Sequence, residues 1–380
     1  MRDINSIQEL SESDIFELLK LNEKDKIFAE NIKINRMSGK DPYAKGDFRL
    51  NFYKEVMSDM YTDGFMMVYP HGTVVRQARR SFYYRGENQL YPSTSPSLCR
   101  FLNNIENEEE RAVERFVADM KIAEFNTLLF KFQHTADFLE KGVSVLSEQL
   151  AQHYGLKTQW LDITNDFNDF EVALFFACCK YNKNYNMWSP LTKSDFKRNE
   201  NTQYGIIFKK NTELTDLLLG CDLSLEGNIL PIGFQPFMRS HMQTGYAILM
   251  NDHMDLQDDM DFEMYKFKHS EKLCSLIYKR MDCGRKIYPH EGLVSVKDQI
   301  ELIEQSREFS RKAFEYAYNK TDYKVKDWEQ LLNKYQYYIG KTPINLSRQR
   351  IRAVNRAYKK FDIEKIYNIR FVSRLCYIPT

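Results

Sequence analysis

The chain has 380 residues, 43% of them hydrophobic and 28% charged, so it holds more than one ordinary domain and can bury a sizeable core under a solvated surface. A formal net charge of +1 excludes a whole-molecule field that would draw in nucleic acid or an anionic membrane, and leaves only local patches open. Seven cysteines, an odd count without a Cys-x-x-Cys pair, argue against a disulfide framework and a structural zinc site, and fit a reducing compartment.

In chain order, residues 1–70 read as a polar, helical lead-in rich in Lys, Asn and Asp, with short patterning at Ile15, Leu18 and Leu19. The opening MRDINSIQELSESD lacks the apolar stretch of a secretory signal, and the longest apolar run, Val172 to Cys179, falls far short of the ~20 residues of a membrane span. The expectation is a cytoplasmic protein with no membrane partner and no metal. An aromatic strand over Phe82-Tyr83-Tyr84 closes on Arg85-Gly86. Ala112, Val113, Phe116, Val117, Met120 and Ala123 then fall at helical spacing behind Glu108, Glu109 and Glu110, which suit a positive helix N-terminus.

A second helix over about 143–154 stops at Gly155, where a left-handed residue is wanted. Thr158 to Thr164 reads as a buried strand, and Asn165 or Asp166 can cap a third helix running through Lys180. Residues 183–203 are polar and irregular, the pattern of a mobile loop. Strands are expected at Tyr204–Phe208, Gly245–Met250 and Met264–Phe267. Helices are expected from about Ser270 to Cys283 and from about Val296 to Tyr318. The region 297–380 is helical, basic and aromatic towards its end, with five arginines between Arg348 and Arg370. Strands and helices alternate without a regular βαβα rhythm, which favours an α+β fold. Neither common phosphate loop, GxGxxG or GxxxxGK[ST], is present.

Three segments place polar residues where the pattern expects apolar ones. In Phe82 to Glu87, Arg85 at a strand end can aim a planar fork at a diphosphate or ribose, with Gly86 allowing a sharp turn or a close approach. The plainer reading pairs Arg85 with a carboxylate such as Glu87. In Gln152 to Thr164, Gln152, His153 and Tyr154 crowd a helix end while Asp162 and Thr164 alternate through a buried strand. Such a cluster is either an internal hydrogen-bond network or a ligand site. In Pro236 to Ala247, Gln243 can hold a ribose hydroxyl or simply satisfy loop backbone groups.

Together these segments resemble the FRG family, named for a Phe-Arg-Gly motif that here reads Tyr84-Arg85-Gly86. A Pro-Ser-Leu-x-Arg element is matched by Pro96 to Arg100. The most specific signature, Gln-His-Tyr-Gly-x-x-Thr-x-x-Leu-Asp-x-Thr, is matched by Gln152 to Thr164, with Ala173 to Ala177 following. Lys157-Thr158-Gln159 stands where the family has Pro-Thr-Arg, so one expected arginine is missing. Arg239, Gln243 and Gly245 match a late Arg-x-x-x-Gln-x-Gly element. The similarity implies an FRG domain over 71–296 with a split β-sheet core like that of ADP-ribosyltransferases, which would bind NAD as a substrate.

On that resemblance Arg85, His153, Asp162 and Gln243 carry the chemistry, and Tyr84, Arg85, Gly86, Tyr154, Thr164 and Arg239 bind the nucleotide. Tyr83, Tyr84 or Tyr154 would offer a flat face to a ring. It further implies transfer of ADP-ribose to a macromolecule, protein or nucleic acid (RNA or DNA), or to water, by a toxin or anti-phage defence effector with an antitoxin or partner protein. Gln243 stands where such enzymes keep a glutamate, so the alternative is a non-catalytic nucleotide-sensing or protein-interaction module.

Overall fold

A computed structural model describes residues 2–16, 64–68, 74–78, 82–140, 145–165, 169–182, 187–211, 229–232, 235–243, 245–289, 291–359, 369–373 and 376–379. Most of the lead-in, including Leu18 and Leu19, lies outside them, as do Asp166, Cys221 and Thr244. Among these residues the strands are β1 (Gln8–Leu10), β2 (Gly64–Val68), β3 (Val74–Ala78), β4 (Phe82–Glu87), β5 (Trp160–Asn165), β6 (Cys179–Asn182) and β7 (Met187–Pro190). Then follow β8 (Tyr204–Asn211), β9 (Ile229–Pro231), β10 (Gly245–Leu249), β11 (Glu263–Lys268), β12 (Glu308–Ser310), β13 (Tyr338–Gly340), β14 (Ile369–Ser373) and β15 (Cys376–Pro379). The helices that frame them, in chain order, are α1 (Ser97–Leu102), α2 (Glu108–Leu129), α3 (Gln133–Glu140), α4 (Ser147–His153), α5 (Asp169–Cys178) and α6 (Lys193–Phe196). They continue with α7 (Met238–Met242), α8 (Glu271–Arg280), α9 (Lys297–Gln305), α10 (Arg311–Lys320), α11 (Trp328–Lys334) and α12 (Arg348–Tyr358).

Seven strands form one sheet in the order β1-β11-β8-β4-β5-β10-β9, antiparallel except for the parallel β1–β11 pair. The fold is α+β. Side-chain alternation sorts the sheet residues onto two faces. Tyr83, Ile206, Phe208, Leu161, Ile163 and Tyr246 share one apolar cluster. Tyr84, Ile207 and Phe267 share another with α5 and α8. The run Val172 to Cys178, apolar all round, forms α5 and is buried except at the half-buried Phe176, as suits a core helix.

β4 and α5 approach so closely that a Cβ on Gly86 would overlap the Ala173 carbonyl oxygen. The glycine is therefore required by packing. Gly86→Ala should destabilise the fold by at least ~1–3 kcal/mol, the usual cost of overpacking, read as a lowered thermal midpoint.

α2 starts where expected. The Asn107 side chain accepts from Glu110 N–H, and three glutamates occupy the first turn. Its buried face, with Val113, Phe116, Val117 and Met120, receives α10 and α11, and Trp328 stacks on Phe116 at 4.2 Å. Glu124, buried in α2, accepts from Ser310 N–H (2.8 Å) and the Thr342 hydroxyl (2.6 Å), which ties in the chain after residue 297.

Several local expectations are corrected. The helix expected over 296–318 is two helices, because Ser306 turns extended and Glu308–Ser310 pairs with Tyr338–Gly340. The expected loop 183–203 contains β7, hydrogen-bonded to β6, and the turn α6, held because Trp188 packs on Phe175 and Phe176. α5 ends at Cys178, two residues early, where β6 begins. Asn165 belongs to β5, opposite Tyr83, and α5 begins only at Asp169. Past residue 359 the described tail is a β14–β15 hairpin instead of helix. Among the described residues no helix is long and apolar enough to cross a membrane.

Candidate functional site

The middle of the sheet is parted. β4 and β5 pair only at Tyr83–Asn165 and Tyr84–Thr164, while β4 continues its ladder with β8 to Glu87 and β5 continues its own with β10 to Trp160. From Arg85 onward the two strands therefore diverge. In the opening lies a cleft of about 380 Å³, near the lower end of the ~300–1,000 Å³ usual for ligand pockets.

Arg85 spans the parting. Its Nη1 donates to the Asp162 carbonyl across the gap (2.7 Å), and its Nε donates to Glu87 Oε1 (3.1 Å). The guanidinium thus stands in for the missing backbone ladder: the pairing with Glu87 is present, and the same group is part of the cleft lining. Glu87 is itself buried and accepts from the Thr94 hydroxyl (3.0 Å). Nη2 of Arg85 has no hydrogen-bond partner within the described residues, which leaves one donor available at the cleft wall.

Two more cations join it. Arg100, exposed at the rim on α1, donates from Nη1 to the Ser95 carbonyl. Its pKa is lowered, first by desolvation and then by the Arg85 guanidinium. Lys157 lies between the Phe101 ring, 5.0 Å from its centroid, and the Glu304 carboxylate. An Arg100 guanidinium whose basicity is lowered by the charge of Arg85, beside a lysine, makes a site that favours an anion.

The carboxylate in the cleft is Asp162. Burial raises its pKa, opposed by the charges of His153 and Arg85 and by a hydrogen bond from Gln152. Its Oδ1 lies 3.5 Å from His153 Nε2, and both atoms are buried without a hydrogen-bond partner. An orphaned pair of this kind at a pocket wall fits a ligand site better than a finished core network.

The helix end that presents these groups is built as the sequence predicts. Gly155 has φ +98, its N–H reaches the Gln152 carbonyl (3.0 Å), and Leu156 N–H reaches Ala151 (3.1 Å), a Schellman stop for α4. A Cβ at Gly155 would meet nothing within 4 Å, so its constraint is the backbone alone. Gly155→Ala should cost about 1–2 kcal/mol of stability in a denaturant melt.

Of the site residues proposed from sequence, Tyr84, Arg85, Gly86, Asp162, Thr164 and Gln243 line the cleft together. Gln243 is buried and donates from Nε2 to the Ile287 carbonyl (3.0 Å), so the loop-satisfying reading also applies to it. Thr164 donates to the Tyr84 carbonyl (3.3 Å). His153, Tyr154 and Arg239 stand behind the wall. Arg239 caps the α4 end by donating to the His153 carbonyl (2.8 Å), and its guanidinium lies over Tyr288 (3.6 Å) and Tyr154 (4.6 Å). The Tyr154 hydroxyl donates to buried Glu291, and burial followed by that carboxylate's charge pushes its pKa well up. These two are absent from the cleft lining and pack behind it. Of the expected flat faces, Tyr83 packs on Tyr246 and Tyr154 is internal, while Tyr84, edge-on to Phe170, is in the cleft lining. The half-buried aromatic in the lining is Phe176.

Phe176, Lys157, Ser97 and Arg100 were missed as site residues. Ser97 and Arg100 sit in the Pro96–Arg100 element, three residues apart on one helical face, a spacing that marks a shared direction.

No curated protein and no solved structure matches the chain. The FRG domain family model matches residues 80–186, a stretch that holds both parted strands, the α1 arginine and the α4 stop. Residues 80–186 are therefore the stretch that matches an FRG domain, and all of the cleft lining except Gln243 lies inside it.

Proposed function

We propose that the cleft binds NAD and that the protein transfers ADP-ribose to a macromolecular acceptor or to water. The observation that carries this reading is one parted sheet holding three cations, Arg85, Arg100 and Lys157, around the Asp162 carboxylate, whose Oδ1 is buried without a hydrogen-bond partner. The cations suit a diphosphate, and Phe176 offers an apolar edge for a ring.

In the reaction the bond between ribose C1′ and the nicotinamide nitrogen breaks, and the electron pair leaves with nicotinamide. Positive charge grows on the ribose, where a carboxylate held at the wall stabilises it. The acceptor's nucleophile then bonds to C1′ and gives up its proton, for which Asp162, with its raised basicity, is the acceptor at hand. His153 holds that carboxylate from behind, and Arg239 holds the helix end that carries His153.

Radiolabelled NAD supplied with the purified protein, alone or with cell lysate, should release nicotinamide or label an acceptor. Binding without turnover, unchanged in Arg85→Ala, would remove both the enzyme and the site. The second reading, a non-catalytic nucleotide sensor, is favoured by Gln243: it has no charge and commits its amide to Ile287. Saturable NAD binding that Arg85→Ala abolishes, with no nicotinamide released under any condition, would select the sensor. The cellular part of the proposal is a toxin or defence effector, for which growth arrest on expression should be relieved by Arg85→Ala.

A further inference from the structure

The α12 helix carries Arg348, Arg352 and Arg356 at every fourth residue and Lys359 three further on, a single stripe of cations. With Gln133, Gln349 and Asn355 they line a groove of about 730 Å³. All four are exposed, and among the described residues none of them forms an ion pair or a side-chain hydrogen bond. Arg350, on the neighbouring face, shows the contrast: it grips Asp298 with Nη1 (2.8 Å) and Nη2 (2.5 Å). No carboxylate lines the groove among the described residues.

An ordinary solvated helix face would alternate acids and bases at this spacing. This one also places arginines in a first turn that contains no acid, against the positive end of the helix dipole. Both features oppose the isolated helix and are relieved by a bound polyanion. The opposite face is fixed. Val354 and Tyr358 are buried, the Tyr358 hydroxyl accepts from Leu293 N–H (3.1 Å), and its ring stacks on His134 at 4.3 Å. The stripe is thus presented on a rigid support.

We propose that the α12 groove binds the phosphodiester backbone of a single-stranded nucleic acid without reading its bases. Four residues of helix advance about 6 Å, so the stripe offers regularly spaced charges along a concave path that one flexible strand can enter. No aromatic side chain among the described residues lines the groove to stack a base, which leaves phosphate contact as the source of affinity. Recognition by phosphate alone is indifferent to the sugar. The proposal is independent of the cleft's chemistry.

Fluorescence anisotropy with labelled single-stranded RNA and DNA oligonucleotides, titrated into the full chain over a range of salt, tests it. The expected slope of log K against log salt is about −3, four contacts at roughly −0.7 each. RNA and DNA should bind within a few-fold of each other, whatever their sequence. Arg352→Ala with Arg356→Ala should weaken every oligonucleotide alike and reduce the slope by about 1.4. Arg85→Ala should leave this binding unchanged, which separates it from any failure of the cleft. Absence of binding at low salt, an unaltered slope in the double variant, or equal competition by polyglutamate would each overturn the assignment.

Discussion

Arg85→Ala is expected to lose NAD binding by roughly 10- to 150-fold while also weakening the fold. Two physical roles meet in that guanidinium. As a cleft wall it supplies a charge-assisted donor, and losing a hydrogen bond to a charged partner costs about 1.5–3 kcal/mol. As a strut it holds β5 by the Asp162 carbonyl and neutralises buried Glu87. Arg85 is 22% exposed and Glu87 6%, so the loss of stability should fall below the ~3–5 kcal/mol of a fully buried pair.

Two companion variants separate the roles. Arg85→Lys keeps the charge but cannot reach both Glu87 and the Asp162 carbonyl with a planar fork, so its loss should be mainly in stability. Arg100→Ala removes a rim cation bonded only to the Ser95 carbonyl and should weaken binding with little change in melting. Calorimetric titration with NAD beside thermal melts of all three variants checks the pattern. Undiminished affinity in Arg85→Ala would end the assignment of the cleft.

Asp162→Asn should reduce turnover by about 10²–10⁴-fold, the range for a positioned acid or base, without destabilising the fold at neutral pH. The sign follows from linkage. Burial raises the folded pKa of Asp162 above its unfolded value, so the folded protein holds this proton more tightly. Its stabilising effect is complete below the unfolded pKa and is lost as pH rises through the raised folded one. The neutral amide avoids that loss and keeps an acceptor for Gln152.

Two opposite pH trends should accompany it in the wild type. Turnover rises with pH as the carboxylate ionises, while affinity for the substrate's doubly charged diphosphate falls over the same window. Both trends should flatten in Asp162→Asn, as measured by initial rates and Kd across that range. Persistence of the pH-dependent rate in the variant would assign the titration to another group.

What could be read in the sequence was local. The aromatic strand before Arg85, the Gly155 stop and the alternation of Asp162 with Thr164 each depend on neighbours within a few residues, whereas the expected strand end at Arg85-Gly86 is overrun because β8 pairs with β4 as far as Glu87. The misassigned residues were those whose partners lie far along the chain. Tyr154 and Arg239 became supports because Glu291 lies behind them, 137 residues beyond Tyr154. Ser306 broke an otherwise continuous helical pattern because β12 finds β13. Gly86 was assigned a sharp turn or a close approach to a ligand, whereas the close approach is to the Ala173 carbonyl of a helix no local pattern places there.

The matched stretch supplies β4 and β5 at the centre of the seven-stranded sheet, and the strands on either side, β8 and β10, come from later sequence. An excised fragment limited to 80–186 would therefore expose hydrogen-bonding edges on both of its sheet strands and should aggregate on its own. In this chain the matched stretch is a keystone, held within the arch that the later strands build around it. Grafting it between proteins would require transplanting its neighbours as well.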